Sequence, residues 1–181
     1  MKLAVGITSL LLATLTHGQT QVDAILIAAR DQMSVQNDAW FEDGDFLPVI
    51  QNQEAIVRIF PSDEETWSSL IWMYFNVEKS AERWVASRNF ATANPDYSDR
   101  SYYEAEMFFL ARLYAKVPGL IEPSLNLAKR PDANMYRILA NSYYKLGYYE
   151  DAVRVWDALL KFLPGDGQAK ANRDKAAKHL K

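Results

Sequence analysis

The chain has 181 residues, of which 49% are apolar and 24% charged, enough apolar content for one core or a short array of repeats and too much for a disordered segment. It contains no cysteine, which excludes disulfides, thiolate catalysis, a lipoprotein anchor cysteine, c-type haem attachment and thiolate zinc sites. Its two histidines, His17 and His179, stand near the ends, so a Ser-His-Asp triad or a histidine metal site has no residue in the body of the chain, and the formal charge of −3 argues against nucleic acid.

Residues 1–18 have the pattern of a secretory signal peptide. Lys2 supplies a positive start, Leu3 to Leu15 is an apolar run, and Thr16 and Gly18 put small residues at the cleavage-defining places. The run is shorter than the roughly 20 residues a membrane span needs. The pattern predicts export to the periplasm or cell exterior, no span after the signal is removed, and a mature domain over residues 19–181. The competing expectation is an amphipathic or buried first helix.

Gln19 to Phe41 is expected to be helical, with Val22, Ile25, Leu26, Ala29, Met33 and Trp40 on an apolar stripe. Glu42-Asp43-Gly44-Asp45 makes a turn, and Phe46-Leu47-Pro48 opens a second helix that runs to Phe60-Pro61. The acids of that turn do not follow the alternating ligand spacing of a calcium loop, so no metal is expected there. A second pair of helices follows, Trp67, Leu70, Ile71 and Tyr74 marking the first and Ala81, Trp84, Val85 and Ala91 the second. The turn between them, Asn76 to Lys79, lacks glycine, and the spacing from Ala81 to Pro95 predicts a helix lengthened by half a turn. In the third pair Tyr102, Ala105 and Phe109 keep the phase, but Glu106 falls where a small residue would pack and needs a partner or solvent. Pro118-Gly119 and Pro123 are expected to confine the second helix to about Ser124–Lys129, leaving a dent on the outer face.

The fourth pair, Ala133 to Asp166, is the most regular. Tyr136, Leu139, Ala140 and Tyr143 share a helical face, Gly147 breaks the pattern, Ala152, Val155, Trp156 and Leu159 mark a second helix, and Pro164-Gly165 ends it. These residues and the period of about 34 resemble the tetratricopeptide repeat. Leu159 stands where that family more often has alanine. Pro61 and Pro95 stand one period apart, so Arg30–Asp63, Glu64–Ser98 and Asp99–Asp132 fit as degenerate earlier repeats, the first with Gln36 and Asn37 at the leucine–small pair. Gly167 to Lys181 reads as a charged capping helix with Ala169, Asn172, Ala176 and Leu180 inward. The expected fold is all-α, an α-solenoid of about four tetratricopeptide-like hairpins with a C-terminal cap.

The resemblance implies a protein-binding scaffold whose first helices line a concave groove. Residues on those helices away from the packed stripe are Asp38 and Phe41, Ser68, Trp72, Phe75 and Asn76, Tyr103, Met107 and Leu110, and Arg137, Asn141 and Tyr144. The candidate partner-binding set is Trp72, Phe75, Tyr103, Met107, Arg137, Asn141 and Tyr144, because aromatic residues and arginine dominate binding energy at interfaces. Trp72 and Met107 are off the consensus packing stripe; they line a groove or are covered by another element. Arg137 and Asn141, with Asn172 or Arg173 of the cap, match part of the two-carboxylate clamp of chaperone-binding family members. Charge is uneven: nine acids face Arg58 alone between Asp31 and Glu65, and five basic residues face Asp174 alone from Gln168 to Lys181. The expectation is therefore a non-catalytic, exported scaffold holding a peptide or helix of a protein partner, with no cofactor. The alternative is a structural subunit of an envelope or secretion assembly docking through its convex face.

Overall fold

A computed structural model describes the backbone of residues 4–180 and the side chains of residues 21–180. Lys2 and the side chains of the apolar run Leu3–Leu15, on which the signal-peptide expectation rests, lie outside the described residues. Every regular element among the described residues is helical, as expected, and contacts divide the chain into two compact units, Met1–Phe60 and Pro61–Lys181. No helix of the described residues is long and apolar enough to cross a membrane.

The first unit is one helical hairpin, α1 (Ala4–Glu42) and α2 (Phe46–Ile59). Gly44 turns the chain at φ +79°, and the rings of Phe41 and Phe46 meet across the turn at 5.6 Å. Val49, Ile50, Ile56 and Val57 of α2 are buried. From the predicted stripe of α1, Leu26, Met33 and Trp40 are half-buried, while Val22, Ile25 and Ala29 are exposed. Asn37, at the place of the family's small residue, is buried by pairing: the Asn52 amide donates to its Oδ1 and to the Met33 carbonyl, each at 2.8 Å. A satisfied amide tolerates burial where an unpaired one would not.

The second unit stacks three hairpins and a cap: α3 (Glu64–Asn76) with α4 (Ser80–Ala93), α5 (Tyr102–Leu110) with α6 (Val117–Leu125), α7 (Ala133–Leu146) with α8 (Tyr149–Phe162), then α9 (Gly167–Ala177). A core cluster runs from Ala105 to Ala176 and includes the predicted Tyr136, Leu139, Ala140, Tyr143, Ala152, Val155, Trp156 and Leu159. Trp67, Leu70, Ile71 and Tyr74 are buried on α3 as their spacing predicts. Ala169 and Ala176 of the cap are buried, but Leu180 is exposed, because α9 gives way to a 3-10 turn at Lys178 before it reaches the packed face.

The repeat is written most clearly in the backbone. Four residues about one period apart adopt the left-handed conformation at the hairpin turns: Gly44, Glu78 (φ 58°), Arg112 (φ 60°) and Gly147 (φ 81°). Each turn closes through the same bond to the carbonyl five residues back: Asp45 to Trp40, Lys79 to Tyr74, Leu113 to Phe108 and Tyr148 to Tyr143, at 2.8–2.9 Å. The ends of α2, α4 and α8 are equally alike. Phe60, Asn94 and Leu163, each before a proline, have φ/ψ of −121°/72°, −123°/62° and −125°/63°, because the following ring excludes the helical conformation.

These regularities correct two expectations. α4 is not lengthened: at 14 residues it equals α8, and Arg83, Ala86, Ser87 and Phe90 face inward while Ala81 and Val85 are exposed. The turn at Glu78 and the stop before Pro95 fix both ends, so Arg83 takes the place that Ala152 holds in the last hairpin. In the third hairpin the turn falls at Arg112, so the return segment starts at Tyr114–Lys116 and continues as α6 instead of being confined to about Ser124–Lys129. Pro118 sits in the first turn of α6, where no N–H is needed. Pro123 removes a bond to the Gly119 carbonyl, and both residues are on the exposed side, where that carbonyl is open to solvent.

Candidate functional site

All seven predicted partner-binding residues lie in the second unit, on α3, α5 and α7. Trp72 and Phe75 are about half exposed, Tyr103, Met107, Asn141 and Tyr144 are partly covered, and Arg137 is partly covered and paired. The structure brings four of them together in two places, Trp72 with Tyr103 and Asn141 with Tyr144, and leaves Phe75, Met107 and Arg137 outside both.

Trp72 and Tyr103 share an open hollow of about 650 Å³, with Glu64, Ser68 and Tyr97 among its walls. The Tyr103 hydroxyl donates to Ser68 Oγ, fixing α5 to α3. The buried ring of Phe90 meets Tyr97 edge-on at 5.7 Å and Tyr103 at 6.0 Å, so one core side chain props two walls. Burial is the leading cause that pushes both phenols above their usual range; for Tyr97 the carboxylates of Asp99 and Glu64 add to it. Both therefore stay neutral.

Asn141 and Tyr144 border a smaller cleft of about 100 Å³ with Asn172 and Lys175 of the cap. Lys175 Nζ lies 4.9 Å above the Tyr144 ring, and His179 stacks on Tyr149 at 4.2 Å with its Nε2 3.4 Å from the Tyr144 hydroxyl. Arg137 is turned away to a structural task. One terminal nitrogen donates to Asp166 at 2.7 Å and the other to Asn134 at 2.8 Å. Asp166 also caps α9 by accepting from the Ala169 N–H at 2.9 Å. That N–H first, and then Arg137, hold its carboxyl below the usual range. Arg173, the other candidate for the clamp, is held by Asp157 at 2.9 Å and Asp174 at 3.2 Å. The donors at the cleft include the amides of Asn141 and Asn172 and the ammonium groups of Lys145 and Lys175.

Phe75 covers the Arg83 guanidinium, whose carbon lies 4.6 Å from the ring centroid. Arg83 pairs with Glu106 at 2.5 Å, and the Tyr102 hydroxyl donates to the other Glu106 oxygen at 3.0 Å. The carboxylate in the small-residue place of α5 thus meets the cation in the small-residue place of α4. Burial, followed by the charge of Glu106, drives the Tyr102 phenol well above its normal range. Tyr97, Glu64, Lys175 and His179 were not among the predicted site residues. Tyr97 lies in a loop outside the helical period, Glu64 has the ordinary place of an acid in a first turn, and His179 lies close to the chain's end.

Hairpins of this length, stacked with a shared turn geometry and closed by a polar-backed helix, define an all-α array of tetratricopeptide-like repeats. Solved structures of MamA share it. One crystal structure of MamA superposes with a TM-score of 0.61 at 17% identity, covering 83% of this chain and 87% of that one. The MamA RS-1 ArsTM double mutant gives 0.62 at 14% identity over 83% and 90%, and a further MamA crystal structure gives 0.60 at 18% over 79% and 89%. At these identities the likeness is one of fold. No family profile matches the chain, and no curated protein matches it.

Proposed function

We propose that the chain is a non-catalytic scaffold that holds a peptide or helix of a protein partner along the first helices of its hairpins. The observation that carries this is Trp72, a half-exposed tryptophan that lines a hollow together with Tyr103. Large apolar groups at a rimmed hollow are typical of protein-binding surfaces. Phe75 and Met107 extend the surface along α3 and α5, and the Asn141–Asn172–Lys175 cleft supplies donors for a carboxylate or backbone carbonyl of the bound segment. Arg137 shapes that cleft by tying α7 to the residue that caps α9. The MamA likeness supports the scaffold class through the fold. Export is part of the same proposal and rests on the pattern of residues 1–18; N-terminal sequencing of the protein recovered outside the cytoplasm should begin near Gln19, and an intact Met1 would refute it.

Binding is tested with Trp72→Ala. The exposed ring contributes little to folding, so the variant should melt within a few degrees of the parent while losing its partner in a crosslinking capture. Unimpaired capture would sink the groove. Tyr103→Ala is a poorer test because Tyr103 also anchors α5 to α3; Tyr103→Phe keeps the ring and removes only the bond.

A further inference from the structure

We propose that the hollow between α3 and α5 receives a cationic side chain, an arginine or lysine of the bound peptide. This occupant presupposes the groove binding proposed above and names the chemistry at one point along it. Its lining is Trp72, Tyr97 and Tyr103 with Ser68, Ser69, Glu64 and Glu65, and no basic residue lines it. Three aromatic rings with two carboxylates are complementary to one charge sign. A guanidinium or ammonium is attracted by the negative faces of the rings and paired by the acids, while a carboxylate would meet both as repulsion. The positive end of the α3 dipole opposes a cation there, and the two first-turn acids offset it.

Three further features fit this occupant. The volume, about 650 Å³, lies in the range of ligand sites and admits a long side chain with its neighbouring backbone. The walls are set in advance by Phe90, which reduces the ordering cost of binding. The chain also already uses the same chemistry on Tyr97, whose ring takes the Lys129 ammonium at 5.2 Å. The other cleft differs in sign, with Lys145 and Lys175 beside the amides of Asn141 and Asn172, so it suits an anionic group where the hollow suits a cation.

The experiment is selection of phage-displayed random dodecapeptides on the full chain, in parallel with Trp72→Ala and with Glu64→Gln/Glu65→Gln. The expected result is a set of peptides enriched on the parent, lost on Trp72→Ala and carrying an excess of arginine or lysine at one position. A synthetic peptide from that set should bind about tenfold more weakly when the residue is replaced by citrulline or norleucine, and about as much more weakly to the glutamine variant. Peptides that depend on Trp72 but show no basic excess, or that tolerate citrulline without loss, overturn the cation while leaving the groove intact. Peptides indifferent to Trp72, or no enrichment at all, overturn the groove and with it the occupant. Glu64 and Glu65 are exposed, and glutamine keeps an acceptor for the bond between Glu64 and the Tyr97 hydroxyl, so the variant should melt within a few degrees of the parent, which a urea or thermal melt run beside the selection checks.

Discussion

Four residues carry the hairpin turns, and only two of them suit the job. Gly44 and Gly147 adopt positive φ freely, whereas Glu78 and Arg112 pay for the same conformation with a clash between Cβ and the backbone. Glu78→Gly should therefore stabilise the protein by about 1 kcal/mol in urea unfolding, and Gly147→Ala should destabilise it by about 1 kcal/mol. No gain at position 78 would mean that the Glu78 side chain compensates its own strain. Arg83 and Glu106 make a second residue-scale case. Both replace small residues of the repeat, and each is mostly shielded from water, the side chains being 10% and 28% exposed. Removing one partner strands a charge, so Arg83→Ala and Glu106→Ala should each cost about 2 kcal/mol. The double variant restores two small residues and should cost clearly less than the two together. Additive losses would show that the pair carries no coupling.

At the scale of helices, the last hairpin was readable from sequence because every place in its period holds the residue type that the packing needs. The others were readable in part. α3 followed from Trp67, Leu70, Ile71 and Tyr74, but the phase of α4 did not, since a charged Arg83 at the small place looks like a solvated residue until Glu106 is seen beside it. The third turn was hidden for a related reason: Pro118-Gly119 looks like a break, while the break is made by Arg112 and the proline merely starts the next helix. Of the site, Trp72 and Tyr103 were legible from their helical phase. Tyr97 was not, because a loop residue has no period to betray it. The cap α9 depends on Asp166, and that dependence is titratable. Its folded pKa is depressed, so its contribution is complete above the unfolded value of about 4 and is lost as pH falls through the lower folded value. Urea midpoints near pH ~6 and pH ~3 should differ more for the parent than for Asp166→Asn, which keeps an acceptor for the Ala169 N–H but no titrating charge. Equal acid sensitivity would place the titration elsewhere.

At the scale of the whole molecule, the division at Pro61 sets the terms for folding and function alike. The second unit holds the core cluster from Ala105 to Ala176, the α3–α4 hairpin, the aromatic hollow and the amide cleft, so both its stability and its proposed binding surface are internal to it. A fragment starting at Pro61 should then unfold cooperatively in urea, with a denaturant slope near that expected for about 120 residues' worth of buried surface. It should bind a peptide selected on the full chain within about threefold of the parent affinity, a difference of about 0.6 kcal/mol. The start must not be moved further in. The Pro61 carbonyl accepts from the Trp67 indole at 2.9 Å and from the Asn94 amide at 3.2 Å, so it ties the beginning of the unit to both helices of its first hairpin. A fragment starting at Thr66 would leave the indole unpaired and remove the Asp63 cap of α3, whose carboxylate accepts from the Thr66 N–H at 3.2 Å. It should lose the cooperative transition first in α3 and α4, the two helices that hold Trp72 and Phe90, and with them the hollow. If the fragment from Pro61 folds but fails to bind, the first unit contributes to recognition directly; if it fails to fold, the two units are one cooperative body despite their separate cores.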